Sequence, residues 1–138
     1  MTFSDRKKEM LGYFSTNLLG ISDPQIVWDG VANEAIDKDI PWISVSIQPT
    51  IANIVNLNRL SKRVRHVGLF IVQIFIKPNR TTEQADILVD AVGSALEGSR
   101  SSNGVIFTTT NINRVGVTNG YYQINTFTRY KYDDVRNI

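Results

Sequence analysis

The sequence contains no cysteine and a single histidine, His66. The absence of cysteine excludes disulfide bonds, thiolate nucleophiles and cysteine-based zinc sites. A catalytic or metal-bound histidine needs partners, and neither a second histidine nor a glutamate-rich helix accompanies His66. We therefore expect a structural or solvent-exposed role for His66, no bound metal and no catalytic residue.

Motifs for phosphate binding and for nucleophilic catalysis are also missing. The glycines at 116 and 120 are not followed by the helix and lysine of a P-loop. The serines lack a nucleophile-elbow setting. Two acidic pairs, Asp37 with Asp39 and Asp133 with Asp134, lie close together in sequence, whereas a glycosidase needs carboxylates on opposite sides of a cleft. We predict that the protein is not an enzyme and uses no cofactor.

Long hydrophobic runs are absent as well. No run approaches the roughly 18 apolar residues that cross a membrane, so we expect no membrane partner. The 138 residues are 42% hydrophobic and 20% charged, which predicts one globular domain over residues 1–138. A net charge of +2 is too small to indicate nucleic acid binding, so only the local distribution of charge is informative.

Hydrophobic periodicity and turn residues predict two helices and several strands. The first helix is predicted at residues 5–19, capped by Ser4 and closed by Gly20. The second is predicted at 82–97, with Thr81 and Gln84 as a capping box. Strands are predicted at 25–28, 42–48, 67–77, 105–110, 113–118 and 121–132, with Asn119-Gly120 as a hairpin turn. This order predicts an α+β fold, with a mixed or mostly antiparallel sheet and two helices packed on one face.

The strand predicted at 67–77 is apolar on both faces. Even positions place Phe70, Val72, Ile74 and Ile76 on one face, and odd positions place Val67, Leu69, Ile71 and Phe75 on the other. Two helices can cover only one of these faces. We predict that another copy of the same chain covers the second face; the alternative is that a strand or loop of the same chain folds over it.

A basic segment precedes this strand, inside a region, 49–66, that the sequence predicts as a long connection. Its cations are Arg59, Lys62, Arg63 and Arg65. Three interpretations remain open: a solvated loop, contact with nucleic acid phosphate, or contact with an acidic patch on a neighbouring protein. The acidic stretch containing Asp37 and Asp39 is an available partner in a neighbouring subunit. We expect residues 53–65 to be mobile in the free subunit.

The succession of these segments resembles the tail terminator (tail completion) proteins of long-tailed bacteriophages. The resemblance begins with an N-terminal helix and ends with a hairpin that leads to a final strand. Between them, it rests on Gln25-Ile26-Val27-Trp28-Asp29-Gly30, Pro41-Trp42-Ile43-Ser44-Val45, Arg65-His66-Val67-Gly68-Leu69-Phe70-Ile71-Val72-Gln73-Ile74-Phe75 and Ala85-Asp86-Ile87-Leu88-Val89-Asp90.

The resemblance implies a hexameric ring that caps the phage tail tube, ends tube polymerisation and provides the surface for head joining. The implied partners are other copies of the chain, the tail tube protein and a head-completion or neck protein. DNA would pass through the lumen without sequence-specific binding. The protein would be assembled in the host cytoplasm and reside at the head-proximal end of the virion tail.

The sequence offers eight candidates for contacts between subunits or with the tube. They are Arg59, Lys62, Arg63, Arg65, Asp37, Asp39, Asn119 and Tyr121. Two alternative functions stay open. One is a head-completion or connector protein of the phage neck, and the other is a small nucleic-acid-binding module that uses the basic loop 59–66. Tyr121, Tyr122, Phe127 and Tyr130 could stack bases, but they alternate between strand faces, which favours core packing.

Overall fold

A computed structural model describes residues 2–18, 25–28, 41–77, 82–118 and 120–137. These residues form two helices and five strands, which confirms the predicted α+β class. In chain order the elements are α1 (Phe3–Asn17), β1 (Gln25–Val27), β2 (Trp42–Leu57), β3 (Ser61–Ile76), α2 (Thr82–Leu96), β4 (Ile106–Thr118) and β5 (Tyr121–Asn137).

The five strands form one sheet in the order β1-β2-β3-β5-β4. β1 runs parallel to β2, and every other neighbouring pair is antiparallel, so the sheet is mixed as predicted. β1 pairs only with residues 42–44 of β2. The rest of β2 is therefore an edge of the described sheet.

Both helices pack on one face of this sheet, which we call the inner face. The ring of Phe14 on α1 lies 5.3 Å from that of Phe70 on β3, and the Phe70 ring lies 5.8 Å from that of Phe107 on β4. On α2 the buried stripe comprises Ala85, Leu88, Val89, Val92, Ala95 and Leu96. Helical spacing brings these residues to the side of α2 that meets the sheet.

The opposite, outer face carries Val67, Leu69, Ile71 and Phe75 of β3. These four side chains are half-buried, whereas Phe70, Val72, Ile74 and Ile76 on the inner face are fully buried. The strand register places Ile71 between Ser46 and Phe127, so neighbours on the same face account for part of its burial. Neither described helix packs there. Coverage of the outer face by a second copy stays a prediction.

The prediction of a long connection at residues 49–66 is wrong, because these residues form a β-hairpin. β2 continues to Leu57, and β3 begins at Ser61. The side-chain oxygen of Asn58 closes the turn by accepting hydrogen bonds from the backbone N–H groups of Leu60 (3.0 Å) and Ser61 (2.8 Å). Register shifts between Pro49 and Ile51, and between Ile54 and Asn56, interrupt the two-residue alternation by which strands are recognised.

The helix α1 begins two residues earlier than predicted, and Thr2 caps it instead of Ser4. The Thr2 hydroxyl accepts a hydrogen bond from the Asp5 N–H (3.2 Å), and the Asp5 carboxylate accepts one from the Thr2 N–H (3.0 Å). The bond from the Thr2 backbone lowers the pKa of Asp5. α1 ends at Asn17, two residues before its predicted end, and Leu18 is its C-cap. The predicted closing residue Gly20 and the predicted cap Thr81 lie outside the described residues.

Two strand predictions near the C-terminus also need correction. The strands predicted at 105–110 and 113–118 are one strand, β4, with a register shift between Phe107 and Thr110. β5 extends to Asn137 instead of residue 132, because its last residues pair with residues 61–65 of β3. The same pairing places β5 beside the β3 strand of the β2–β3 hairpin, which was not predicted from the sequence.

Candidate assembly surface

The end of the β2–β3 hairpin extends past the helix-covered body of the protein, and we call residues 51–65 the arm. Every residue from 48 to 60 is exposed. β4 pairs with β5 no further than Lys131, which lies opposite Val67 of β3. Beyond that row, the described sheet consists of β2, β3 and the end of β5 alone.

The arm is rich in exposed apolar side chains. They are Ile51, Ile54, Val55, Leu57 and Leu60, with exposed fractions between 43% and 77%. Summed over both faces of the arm, they expose on the order of 500 Å², a total within the range of the largest single apolar patch of a typical monomer. Apolar surface exposed on a projecting hairpin makes the arm a candidate for contact with another protein.

The register shifts distribute these side chains over both faces of the arm. Ile51 lies opposite Val67 and so belongs to the outer face, whereas Ile54 lies opposite Val64 on the inner-face side. Leu57 pairs with Lys62, also on the inner-face side. A partner that touched only one face of the arm would leave apolar side chains in water on the other.

The four predicted basic contact residues lie on the arm. Arg59, at the turn, and Arg63 are exposed. Arg65 is held by Asp133 of β5, with Nε 2.9 Å from Oδ1 and Nη2 3.2 Å from Oδ2. This hydrogen-bonded pair lowers the pKa of Asp133 and raises that of Arg65. Arg65 therefore fixes the base of the arm to β5, while Arg59, Lys62 and Arg63 form no ion pair with any described residue.

Two further cations, which the sequence analysis missed, lie beside the base of the arm. Arg100 bridges to Ile106, and Ile106 pairs with Lys131, so the register places Arg100 and Lys131 on the outer face. With Arg63, Arg65 and Asp133 they line a shallow cavity of about 350 Å³. Four cations and one carboxylate give this basic cavity a net positive charge. The side chains come from distant parts of the chain, and no local sequence pattern connects them.

A buried polar cluster ties α1 to β5 on the inner face. Arg6 Nη2 lies 3.1 Å from Asp134 Oδ1, and Nη1 donates to the backbone oxygen of Asn103 at 2.8 Å. The guanidinium of Arg6 lies 4.8 Å from the centre of the Tyr132 ring. His66 stacks on the same ring at 4.9 Å, with Nε2 3.7 Å from Asp134 Oδ2. Across the described residues no group of three or more His, Asp or Glu side chains is arranged to hold a metal ion.

The remaining predicted contact residues are not brought to the arm. Asp37, Asp39 and Asn119 lie outside the described residues. Tyr121 lies at the other end of the outer face, where its ring contacts Trp42 edge-on at 6.3 Å and Trp42 stacks on Phe75 at 4.2 Å. Tyr121 and Asp133 lie twelve positions apart on β5, a span of roughly 40 Å at the usual rise of a strand.

A second exposed surface, which we call the acidic strip, combines Glu83, Asp86, Ile87 and Asp90 of α2 with Ile112 and Val117 of β4. Asp86 Oδ1 lies 2.9 Å from Arg114 Nη2, which joins the helix to the strand. Residues 82–96 contain three carboxylates and no lysine or arginine. Ile87, Ile112 and Val117 are 49–66% exposed. Helical spacing places Glu83, Ile87 and Asp90 on one side of α2, a pattern that the sequence analysis did not use.

No known protein family and no curated protein matches the chain. Twelve chains of solved structures match it. One of them, whose name describes no function, is 11% identical in sequence and has a TM-score of 0.66, with 95% of each chain covered. This similarity shows that another protein shares the fold. In the described part of the chain, neither helix has the length and apolar character to cross a membrane.

Proposed function

We propose that this chain is a structural virion protein that self-associates into a ring at the head-proximal end of a phage tail. The ring caps the tail tube, ends tube polymerisation and presents the surface for head joining. The observation that carries the proposal is the arm, since its exposed apolar side chains have no cover within the described chain. The resemblance to tail terminator proteins supplies the tail context and the number six.

The shape of the chain supports a ring over a two-fold dimer. The arm leaves one end of the sheet, while the acidic strip lies near the other end, so each copy offers two different surfaces. When the arm-bearing surface of one copy contacts a different surface of the next copy, each pair still has one free surface of each kind. Further copies can then add by the same contact, and they form a closed ring when the rotation between neighbouring copies brings the last copy back to the first. A ring also suits the end of a tube, because every tube subunit at that end then meets one equivalent subunit.

The test begins with the mass of the assembled protein. Native mass spectrometry of the purified chain should give six times the 15.5 kDa of one chain. A phage that lacks the protein should make overlong tails, and the wild-type protein supplied in trans should restore normal length. A chain that stays monomeric at every concentration would overturn the ring. A ring that restores head joining without affecting tail length would favour the neck connector instead.

A second candidate function is supported by the basic cavity. Its excess positive charge suits the phosphates of nucleic acid, which bind with a strong dependence on salt concentration. A monomer that binds DNA tightly in low salt, in a manner lost on reversal of Arg63 and Arg100, would favour a nucleic-acid-binding module. A ring whose DNA contacts are weak agrees with DNA that passes through a lumen without being recognised.

A further inference from the structure

We propose that the arm of one copy docks on the acidic strip of the next copy. This inference rests on the proposed self-association and adds which two surfaces meet. The occupant of the acidic strip is a second copy of this chain, recognised by a basic and apolar hairpin.

The first argument is the separation of charge within the chain. Residues 51–65 contain Arg59, Lys62, Arg63 and Arg65 and no acidic residue. The charged residues of α2, in contrast, are all carboxylates. Arg65 is already paired with Asp133, and Asp86 is paired with Arg114. Arg59, Lys62 and Arg63 on one side, and Glu83 and Asp90 on the other, form no ion pair within the described part of the chain. Opposite charges placed in this way steer two copies into one orientation.

The second argument is that both surfaces are apolar beneath their charges. Ile87, Ile112 and Val117 of the acidic strip are exposed beside the carboxylates of α2, as Ile54, Leu57 and Leu60 are exposed beside the cations of the arm. Over its two faces the arm offers on the order of 500 Å² of apolar surface, and a standard interface buries about 800 Å² on each partner including its polar rim. A neighbouring copy that contacts both faces of the arm and its flanking polar groups therefore has enough surface for a specific contact.

The third argument is that the two surfaces cannot meet within one copy. Lys62 on the arm pairs with Arg136 of β5, and Val117 on the acidic strip pairs with Tyr122 of the same strand. Tyr122 and Arg136 lie fourteen positions apart on β5, a span of roughly 45 Å. The contact must therefore join two copies.

The experiment is a charge exchange in the full chain, read out as assembled mass against concentration. The arm variant carries Arg59→Glu and Arg63→Glu, the strip variant carries Glu83→Lys and Asp90→Lys, and a third variant carries all four changes. Each reversal alone should weaken assembly at least about tenfold, because like charges then face each other across the interface. The variant with all four substitutions should assemble at a concentration within about threefold of the one that the wild type requires. Lys8→Glu, an exposed reversal on α1, serves as the control and should assemble normally.

Failure of this inference is distinguishable from failure of the ring. If the wild-type chain itself is monomeric, the proposed function fails with it. If the wild type forms a ring but the strip variant assembles normally, or the variant with all four substitutions stays dissociated, the docking assignment is wrong while the ring stands. Loss of assembly on Asp37→Lys with Asp39→Lys, together with a normal strip variant, would place the arm on the acidic stretch that contains Asp37 and Asp39 instead.

Discussion

At the scale of single residues, Gly68 and Tyr130 form a close cross-strand pair at the base of the arm. The two residues lie opposite each other on β3 and β5. A Cβ added at Gly68 would lie 2.6 Å from the backbone oxygen of Gln48 and would also collide with the Tyr130 ring and hydroxyl. Glycine at this position therefore lets the tyrosine ring, which is 1% exposed, lie against the strand.

Gly68→Ala should lower the free energy of unfolding by about 1–3 kcal/mol, because the added methyl group overpacks a filled site. Urea denaturation monitored by tryptophan fluorescence measures this change. The matched control is Gly12→Ala in α1, where no atom lies within 4 Å of the added Cβ. That variant should gain roughly 0.5–1 kcal/mol from helix propensity. Equal stability of Gly68→Ala and the wild type would contradict the close approach.

Burial raises the pKa of Tyr130 to about 12, with the neighbouring Tyr132 as a smaller cause. The folded state thus binds the phenolic proton more tightly than the unfolded state does. The resulting stability is complete below the ordinary pKa of 10.0 and is lost as the pH rises towards 12. The free energy of unfolding should therefore fall over this range.

Comparison with Tyr130→Phe isolates this effect from the titration of lysines. The variant should show a shallower loss of stability between pH 10.0 and 12, because phenylalanine carries no proton to lose. Denaturant unfolding at several pH values measures the two slopes. Parallel slopes for the two proteins would show that Tyr130 does not ionise with the raised pKa.

At the scale of elements, the helices and strands with a regular hydrophobic spacing could be predicted from the sequence. The apolar stripe of α2 and the two-sided strand β3 follow regular spacings, and both are present in the structure. The arm was missed because two register shifts break its alternation, and because a single side chain, Asn58, forms its turn. The basic cavity was missed for a different reason: Arg100 joins Arg63 only through the pairing of β4 with β5.

The arm should exchange its amide hydrogens faster than the centre of the sheet in the dissociated chain, and should become protected on assembly. Residues 51–60 of the arm are all exposed, so local opening costs little free energy. Asn58→Ala should accelerate exchange at residues 62–65 further, since it removes the hydrogen bonds that close the turn. Asn56→Ala is the control and should leave exchange at 62–65 nearly unchanged. Strong and equal protection of the arm in both states would contradict a role in assembly.

At the scale of the whole molecule, a small net charge conceals two surfaces of opposite sign. The arm and the basic cavity lie towards one end of the sheet, and the carboxylates of α2 lie over its inner face. A charge of +2 summed over the chain gave no sign of this arrangement. The basic segment 59–65 is recognisable in the sequence, whereas the basic cavity and the acidic strip are formed by the tertiary structure, which brings residues from separate segments together.

Raising the ionic strength should weaken assembly, because salt screens the attraction between the arm and the acidic strip. The Debye length falls from about 10 Å at 0.1 M to about 3 Å at 1 M. Sedimentation velocity over that range should show a shift towards the monomer in the wild type, and a smaller shift in the arm variant. Assembly that strengthens steadily with salt would show that apolar contact alone drives the association.

The open edge of β2 has a consequence for how stray copies behave before they assemble. An exposed strand edge flanked by isoleucine and leucine is a template on which another strand can pair, and such edges seed fibres. Each arm, however, carries cations and no carboxylate, so two arms brought edge to edge repel each other. The positive charge that we assign to docking would also keep one arm from pairing with another, and substitution of Arg59, Lys62 and Arg63 together by neutral residues should increase aggregation of the free chain.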